Sequence, residues 1–374
     1  MAQGFSLADQ IFNTDSIGDL AREFAGGIVG FDGDAFHTEV MGGLAERGFM
    51  ERIEWIADCL EPRLSDDFAV MADQLEAAMV APLNPDLADD DFGRFIHAVP
   101  GVLAVRHGLE DHLERALGLL YQATKRFSME FYIRAFINRW PDQVLARLAL
   151  WAKDDNYHVR RLVSEGTRPK LPWAKKLVIE AQTPVALLDQ LHADDRRFVT
   201  RSVANHLNDI AKIDPRLVIK TLQHWRKLGL QNAKELDWMT RHALRTLIKK
   251  GDAEAMALLG YRQDAPVRLE TLRLAQDKVV AGEALDIEVV LSADEKCPVI
   301  VDYLIWFQRK DGSQSPKVFK LKQAVVQSGK PLKVAKRHVL KGNATTFTLY
   351  AGAHRVAVQV NGKILGEVGF DLSL

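Results

Sequence analysis

An arginine recurs every 40 residues in the middle of the chain, at Arg161, Arg201 and Arg241. Each lies in a short apolar segment that follows an aspartate by a few residues. A period of about 40 residues with two helices per unit is typical of HEAT and armadillo repeats. One such unit cannot bury its apolar face alone, so units stack into a curved solenoid with a long concave surface. The spacing therefore predicts an α-helical solenoid, and a concave surface lined with arginine would suit a polyanion.

The charges of the chain are segregated, although its net charge is only −1. Residues 51–100 hold 12 Asp and Glu against 3 Lys and Arg, a balance of −9, while residues 301–350 hold 10 Lys and Arg against 2 Asp, a balance of +8. Such asymmetry favours one face that addresses an anion and another that is only solvated. We interpret the acidic stretch as a solvated surface. For the basic stretch, nucleic-acid binding and mere solubility both remain open.

Cysteine usage and hydropathy indicate the cellular compartment. The two cysteines, Cys59 and Cys297, are far apart, which predicts a reducing cytosol rather than a disulfide framework. The first residues lack the basic and apolar regions of a signal peptide. No apolar run approaches the roughly 20 residues that span a bilayer. We therefore expect a cytoplasmic protein that does not associate with membranes.

Two domains of different class are predicted. Residues 1–265 show apolar side chains at three- and four-residue spacing, which predicts a helical solenoid. From residue 266 to 374 the period falls to two, and strands are expected at Val267–Arg273, Ala284–Leu291, Val299–Gln308, Lys317–Val326, Lys333–Leu340, Thr345–Leu349, Arg355–Val360 and Ile364–Leu372. Reversals are signalled by Lys310-Asp311-Gly312 and by Asn361-Gly362, a strong type I′ hairpin signal. Short strands at this density predict an immunoglobulin-like β-sandwich of the cysteine-free, fibronectin kind.

The segment from Trp151 to Trp173 concentrates unusual residues. Asp155 or Asn156 is expected to cap a helix that Gly166 ends as a C-cap, with two prolines beyond it. Glu165 then lies at the carboxyl end of that helix, where the macrodipole disfavours an anion by roughly 0.3–1 kcal/mol. An ion pair with Arg161 and a role beside a cationic substrate are both consistent with this position.

Other candidates have structural and functional alternatives. Trp173 follows a Pro-x-x-Pro loop and either packs between repeats or offers a π-face to a base. Residues Lys125–Ile137 are predicted to form one amphipathic helix, on which Glu130 and Arg134 would make an i, i+4 surface pair. Asn205 and Asp209 lie one turn apart.

No cofactor is expected from the motifs. His206 has no His or Cys at metal-ligand spacing, and we expect no metal site. The chain also lacks a glycine-rich phosphate loop and a dinucleotide fingerprint.

Three segments carry a resemblance to a known family. Residues 154–173, 127–136 and 201–209 are similar to the AlkC family of alkylpurine DNA glycosylases, in the branch with a C-terminal immunoglobulin-like extension. The resemblance covers the whole helical part. Ala135 stands where it leads us to expect proline.

The resemblance implies excision of N3-methyladenine, and of N3-methylcytosine as a further substrate, from double-stranded DNA by a nucleoid-associated monomer without metal or cofactor. It implies that Glu130, Glu165 and Asp209 stabilise an oxocarbenium-like sugar and orient water. Trp173 and Asn205 would contact the lesion. The DNA backbone would be bound by these basic residues: Arg160, Arg161, Arg168, Lys170, Arg201, Lys320, Lys322, Lys336 and Arg337.

Two rival functions fit the same sequence. One is an inert solenoid that recognises a protein partner. The other is a structural protein that binds or guards damaged duplex without cutting a bond. Salt dependence of DNA binding and release of a free base distinguish the three hypotheses.

Overall fold

The computed structural model describes residues 6–342 and 348–374. These form two compact units. One contains the residues up to Val218 together with His224–Ala243, and the other contains Ile219–Gln223 together with Leu244–Leu374. The predicted change of class near residue 265 coincides with the change from helix to strand, since the last helix ends at Leu258 and the first strand begins at Val267.

The described residues before the first strand are mostly helical. Their helices are α1 (Leu7–Ile11), α2 (Thr14–Gly27), α3 (Gly33–Leu44), α4 (Phe49–Leu60), α5 (Phe68–Ala77), α6 (Val99–Gly108), α7 (Leu113–Thr124), α8 (Ile133–Arg139), α9 (Pro141–Trp151), α10 (Tyr157–Gly166), α11 (Val185–Leu191), α12 (Arg197–Ile210), α13 (Pro215–Leu228), α14 (Ala233–Ala243), α15 (Arg245–Lys250) and α16 (Ala253–Leu258). Short 3₁₀ turns occupy Glu61–Arg63 and Phe95–Ala98.

The 40-residue period is a true structural repeat. Its three copies fall on α10, α12 and α14, and α12 packs against both of the others. The equivalent residues Val159, Val199 and Met239 are all fully buried, as are those four positions later, at Val163, Val203 and Ala243. Positions i and i+4 share one face of a helix, so these residues form the seam between repeats. The arginine of each copy lies two residues along, which turns it about 200° away from the seam. The predicted solenoid is confirmed.

The predicted helix over Lys125–Ile137 is wrong. α7 ends at Thr124 and α8 begins only at Ile133. Between them Phe127 forms an isolated β-bridge with Gly93, and the Lys125 carbonyl accepts a hydrogen bond from the Leu83 backbone at 2.9 Å. These long-range contacts take backbone groups that a continuous helix would have used, so the chain turns here instead.

Gly166 is needed for a different reason from the one predicted. It is the last residue of α10, but Thr167 is the C-cap, and Gly166 is not among the glycines with left-handed backbone. A Cβ atom at this position would lie 2.5 Å from the Ile133 side chain. Glycine is therefore required by the close approach of α8 to α10. The predicted cap at the other end is confirmed, because Asn156 accepts a hydrogen bond from the His158 backbone.

The second unit contains a β-sandwich. Its strands are β1 (Val267–Leu274), β2 (Lys278–Val280), β3 (Ala284–Ala293), β4 (Cys297–Gln308), β5 (Gln314–Val326), β6 (Leu332–Val339), β7 (Gly352–Val360) and β8 (Lys363–Ser373). One sheet has the order β1-β3-β6 and the other the order β2-β8-β7-β4-β5. Alternate residues of β3, β4 and β7 meet in one apolar core. The immunoglobulin-like class is confirmed.

Two details of the sandwich test the strand predictions. Asn361 and Gly362 both have positive φ, 46° and 80°, as a type I′ turn requires. The short strand β2 was not predicted, because three residues are too few to show a period. The predicted strand Thr345–Leu349 lies mostly outside the described residues.

The last two helices pack onto the sandwich. Met256 and Tyr261 form a buried cluster with Ile300 of β4. The Asn361 amide donates to the Arg262 carbonyl at 2.9 Å, and its oxygen accepts from the Ile300 backbone. In the part of the chain that the structure describes, no helix has both the length and the apolarity needed to cross a membrane.

Candidate active site

Three carboxylates and two arginines alternate in one continuous chain of contacts. Arg161 lies 3.1 Å from Glu130 and 3.5 Å from Glu165. Arg168 lies 2.9 Å from Glu165 and 2.9 Å from Asp209. We call these five residues the carboxylate chain. All five side chains are buried or nearly so, with exposed fractions between 3% for Asp209 and 15% for Glu130.

Each carboxylate is held by a different part of the solenoid. Glu130 lies in the turn before α8, where the Ser128 hydroxyl donates to its Oε2 atom at 2.7 Å. Glu165 is the penultimate residue of α10, and Asp209 is the penultimate residue of α12. The helices α10 and α12 pack against each other, and Arg168 contacts both Glu165 and Asp209, so the carboxyl ends of the two helices are neighbours. Lys212, one turn beyond Asp209, donates to Oδ1 at 3.0 Å.

The two glutamates of the carboxylate chain differ in proton affinity. Burial disfavours the Glu165 carboxylate, but Arg161 and Arg168 outweigh burial and hold its pKa below the ordinary value. Burial raises the pKa of Glu130; Arg161 opposes this shift and the nearby Glu165 charge adds to it. Both hydrogen bonds to Glu130 fall on Oε2. Glu165 is therefore a fixed anion, and Glu130 is the carboxylate with the greater tendency to accept a proton.

The predicted Glu130–Arg134 surface pair is wrong, because the turn before α8 separates them. Arg134 is only 1% exposed and instead donates to three main-chain carbonyls. These belong to Gly166 at 3.1 Å, Arg168 at 2.8 Å and Lys175 at 2.6 Å. The sequence gives no sign of this role, because the partners lie more than thirty residues away.

Arg160 makes structural contacts within the solenoid. Its guanidinium forms a bidentate pair with Asp194 and donates to the carbonyls of Asp154 and Asp155. The Asp194 side chain is 4% exposed and Arg160 is 14% exposed. This pair ties the start of α10 to the segment before α12.

Arg201 is covered by part of the acidic stretch. It lies 2.7 Å from Asp89 and 2.9 Å from Asp90, while the neighbouring Arg196 donates hydrogen bonds to the Asp86 and Leu87 carbonyls. The exposed ring of Phe92 packs edge-on against Phe198, and the guanidiniums of Arg161 and Arg201 lie within 6 Å of both rings. The interpretation of this stretch as merely solvated is wrong for Asp89 and Asp90, since each makes a specific ion pair.

The remaining candidates of the solenoid range from exposed to fully buried. Trp173 is 72% exposed and has a left-handed φ of 63°, and its ring centroid lies 5.6 Å from that of Phe49. Lys170, in the same loop, is exposed. Asn205 is half-buried and accepts a hydrogen bond from His242 at 2.8 Å. His206 is fully buried, and its Nδ1 donates to the Ser164 carbonyl at 3.0 Å. Burial lowers the pKa of His206 to about 3, so the ring is neutral.

The basic candidates of the sandwich are exposed. Lys320 and Lys322 lie on β5, an edge strand of the larger sheet, and Lys336 and Arg337 lie on β6, an edge strand of the smaller one. Lys320 is opposite Asp302 in the ladder between β4 and β5. Burial raises the pKa of Asp302 to about 6, and Lys320 and Lys249 oppose the shift.

Fold and site together define a stacked-helix protein with a buried, arginine-bridged set of carboxylates, followed by an immunoglobulin-like sandwich. Residues 125–247 match the sequence model of the family described as DNA alkylation repair enzyme. Residues 268–374 match the C-terminal Ig-like domain of the uncharacterised protein YhaZ.

Two relatives extend these matches. YhaZ of Bacillus subtilis is 33% identical over 264 residues, which are 70% of this chain and 72% of that protein. The Pseudomonas fluorescens alkylpurine DNA glycosylase AlkC, solved bound to DNA containing an abasic site analog, is 31% identical. The match to it covers 99% of this chain and 100% of that chain, with a TM-score of 0.87. The chain therefore belongs to the AlkC-like family of DNA alkylation repair enzymes, with the C-terminal Ig-like domain.

Proposed function

We propose that this chain is a monofunctional DNA glycosylase that releases cationic N3-alkylated bases from double-stranded DNA. The observation that carries the proposal is the carboxylate chain, set in a fold shared over its full length with an alkylpurine DNA glycosylase. Fold alone would not suffice, because one fold hosts many functions. The arrangement of buried acids supplies the chemistry.

An N3-alkylated adenine carries a positive charge and is already a good leaving group. When the C1′–N bond breaks, its electron pair neutralises the base, and the sugar becomes an oxocarbenium-like cation. Water then forms the new bond to C1′ and loses a proton. The enzyme has to stabilise a cation and activate water, and carboxylates do both.

The different proton affinities of the two glutamates suggest different roles. We assign proton acceptance from water to Glu130, whose pKa is raised by burial and whose hydrogen bonds leave one oxygen for a water. Glu165 and Asp209 are anchored by arginine, so they would stabilise the sugar cation electrostatically.

Trp173 and Asn205 are proposed to contact the damaged nucleotide. A large aromatic ring that is 72% exposed can pack against a cationic base, with an attraction of about 0.5–2 kcal/mol. Asn205 would supply a polar contact from the same helix as Asp209. N3-methylcytosine carries the same charge as N3-methyladenine and is proposed as a second substrate.

The basic residues divide into two groups on this proposal. Arg161 and Arg168 hold the carboxylates, and a phosphate near them would share their charge. Lys170, Lys320, Lys322, Lys336 and Arg337 are exposed, and on this proposal they would bind the backbone of a duplex through charge alone. Arg160 and Arg201 would reach phosphate only in exchange for their present aspartate partners.

Chromatography of bases freed from dimethyl-sulfate-treated duplex tests the proposal. We expect N3-methyladenine to appear with the protein and not with its Glu165→Gln variant. Tight, salt-dependent binding of the methylated duplex without any free base would instead identify a guard of damaged DNA. Absence of both would favour the protein-binding scaffold.

A further inference from the structure

A long segment without helix or strand carries Trp173. It runs over residues 167–184, from the end of α10 to the start of α11. Loops longer than about 12–15 residues without regular structure are uncommon, and an ordered one is often functional. Within this loop the Ala174 backbone donates to the Leu171 carbonyl at 3.3 Å, across Trp173, and further hydrogen bonds come from side chains outside the loop.

Arg134 supplies three such hydrogen bonds. Its Nε donates to the Lys175 carbonyl at 2.6 Å, and its Nη1 donates to the carbonyls of Gly166 and Arg168 at 3.1 Å and 2.8 Å. The contacted carbonyls lie on both sides of Trp173. The loop is thereby drawn together at its base by one planar, five-donor group.

Asn138 repeats the arrangement one turn later on α8. Its amide nitrogen donates to the Lys176 carbonyl at 2.8 Å, and its oxygen accepts from the Val178 backbone at 2.9 Å. Residues four apart lie on the same face of a helix. Arg134 and Asn138 therefore form one face, which we call the α8 bracket, and these five hydrogen bonds all go to the Trp173 loop and the residue before it.

The burial of Arg134 shows that the bracket is more than a surface contact. The residue is 1% exposed, and burial with the nearby Arg168 charge lowers its pKa to about 10, so it stays cationic at neutral pH. A buried cation costs free energy unless its donors are satisfied. Here carbonyls satisfy them, including that of Gly166 at the carboxyl end of α10. The cation also offsets the macrodipole beside Glu165.

We propose that Arg134 and Asn138 are positioning residues that set where Trp173 lies relative to Glu165. The inference rests on the proposed function for its consequence, because a fixed Trp173 matters if the ring packs on a lesion. The placement itself is independent of that function. Loosening the bracket at Asn138 would leave the carboxylate chain intact while the ring loses its position, because Asn138 contacts only Lys176 and Val178 of the loop.

Limited trypsinolysis tests the placement without any DNA. Lys175 and Lys176 have exposed side chains, while their carbonyls are bound by the bracket. Because cleavage needs local opening, Asn138→Ala should speed cleavage after these lysines about tenfold, the effect of losing one or two hydrogen bonds. Arg139→Met, on the same helix with an exposed pair to Glu110, is the matched control and should leave the rate unchanged. Equal cleavage rates in wild type, Asn138→Ala and Arg134→Lys would overturn the placement.

A double-mutant cycle tests the functional consequence in the full-length protein. We expect Asn138→Ala to lower the single-turnover rate of base release about tenfold, since small misplacements are costly, with duplex affinity unchanged. In a Trp173→Ala background the same change should have no further effect. Arg134→Lys should retain part of the rate and Arg134→Met less, provided both unfold at the wild-type urea midpoint. Multiplicative losses in the double variant would mean that the bracket does not act through Trp173.

The two experiments separate the inference from the proposed function. Faster trypsinolysis with no base release from wild type would leave the bracket in place and remove the glycosylase proposal. Base release by wild type, together with unchanged trypsinolysis and multiplicative losses, would support the glycosylase proposal and overturn the positioning role of the bracket.

Discussion

The carboxylate chain of the solenoid and the basic strands of the sandwich use charge in opposite ways. In the carboxylate chain every charge lies within 4 Å of an opposite one, and its side chains are at most 15% exposed. On β5 and β6 the side chains of Lys320, Lys322, Lys336 and Arg337 are exposed and are spread over two edge strands. The paired charges of the carboxylate chain hold their side-chain atoms at defined positions. The exposed charges of the sandwich create a positive electrostatic field instead.

The difference sets how each region should respond to substitution. A buried charge that loses its partner leaves an uncompensated ion, which costs about 3–5 kcal/mol. An exposed charge acts with its neighbours through solvent and is screened by salt. Single changes should therefore matter in the carboxylate chain, while only combined changes should matter on the sandwich.

Glu165→Gln should have the largest effect. It removes the anion shared by Arg161 and Arg168 and leaves two cations beside a developing sugar cation, so base release should fall about 10³-fold. Single-turnover release from methylated duplex measures this, with duplex affinity measured alongside. Glu110→Gln, which breaks an exposed pair, is the control. Turnover equal to wild type would remove Glu165 from the site.

The rate of base release should depend on pH through the ionisation of Glu130. A proton acceptor works only when ionised, so activity is lost as pH falls through its pKa. Since burial raises the pKa of Glu130 above the ordinary 4.5, the acid limb of the rate profile should lie above that value. Glu130→Gln should slow release about 10²-fold and remove that limb. An unchanged limb in the variant would assign it to another group.

The sandwich should respond only to combined substitution. Replacing Lys320, Lys322, Lys336 and Arg337 with Gln together should weaken duplex binding and reduce the slope of log affinity against log salt by about 0.9 for each phosphate that is no longer neutralised. Each single replacement should have little effect. Lys278→Gln with Lys363→Gln, on other strands of the sandwich, is the control. A full salt slope in the fourfold variant would show that the sandwich does not engage DNA.

The smallest effect is expected at Arg201 of the solenoid, a basic residue that is paired with two aspartates. Asp89 and Asp90 now occupy Arg201. Asp89→Asn with Asp90→Asn should free that arginine and tighten duplex binding about two- to fivefold at low salt, the scale of an exposed ion pair. Asp86→Asn is a matched control, because Asp86 contacts Arg196 through its carbonyl. Weaker binding in the double variant would show that the aspartates hold Arg201 for DNA rather than against it.

Local periodicity was enough to predict most of the fold. The 40-residue period located α10, α12 and α14 because their seam residues are buried at equivalent positions. The sandwich strands followed from alternation and turn chemistry, with Asn361-Gly362 the clearest case. The helix over Lys125–Ile137 was wrong because its apolar spacing continues across a turn that only the distant Gly93 and Leu83 impose.

The candidate active site was harder to predict from the sequence than the fold. Glu130, Glu165 and Asp209 were named together only through the family resemblance, since nothing in their spacing places them in one chain of contacts. Arg134 was misjudged because its partners are carbonyls, which carry no sequence signal. Asp89 and Asp90 were taken as solvated because charge counting cannot detect a specific partner. The roles of these residues in catalysis and DNA binding stay predictions.

The left-handed backbone of Trp173 sets two selective pressures against each other. A bulky residue rarely adopts φ near 63°, and such strain costs of order 1–3 kcal/mol. Glycine would remove the strain, and with it the ring. A screen of random variants for heat resistance alone should therefore enrich Trp173→Gly, whereas a screen for survival of methylating agents should discard it.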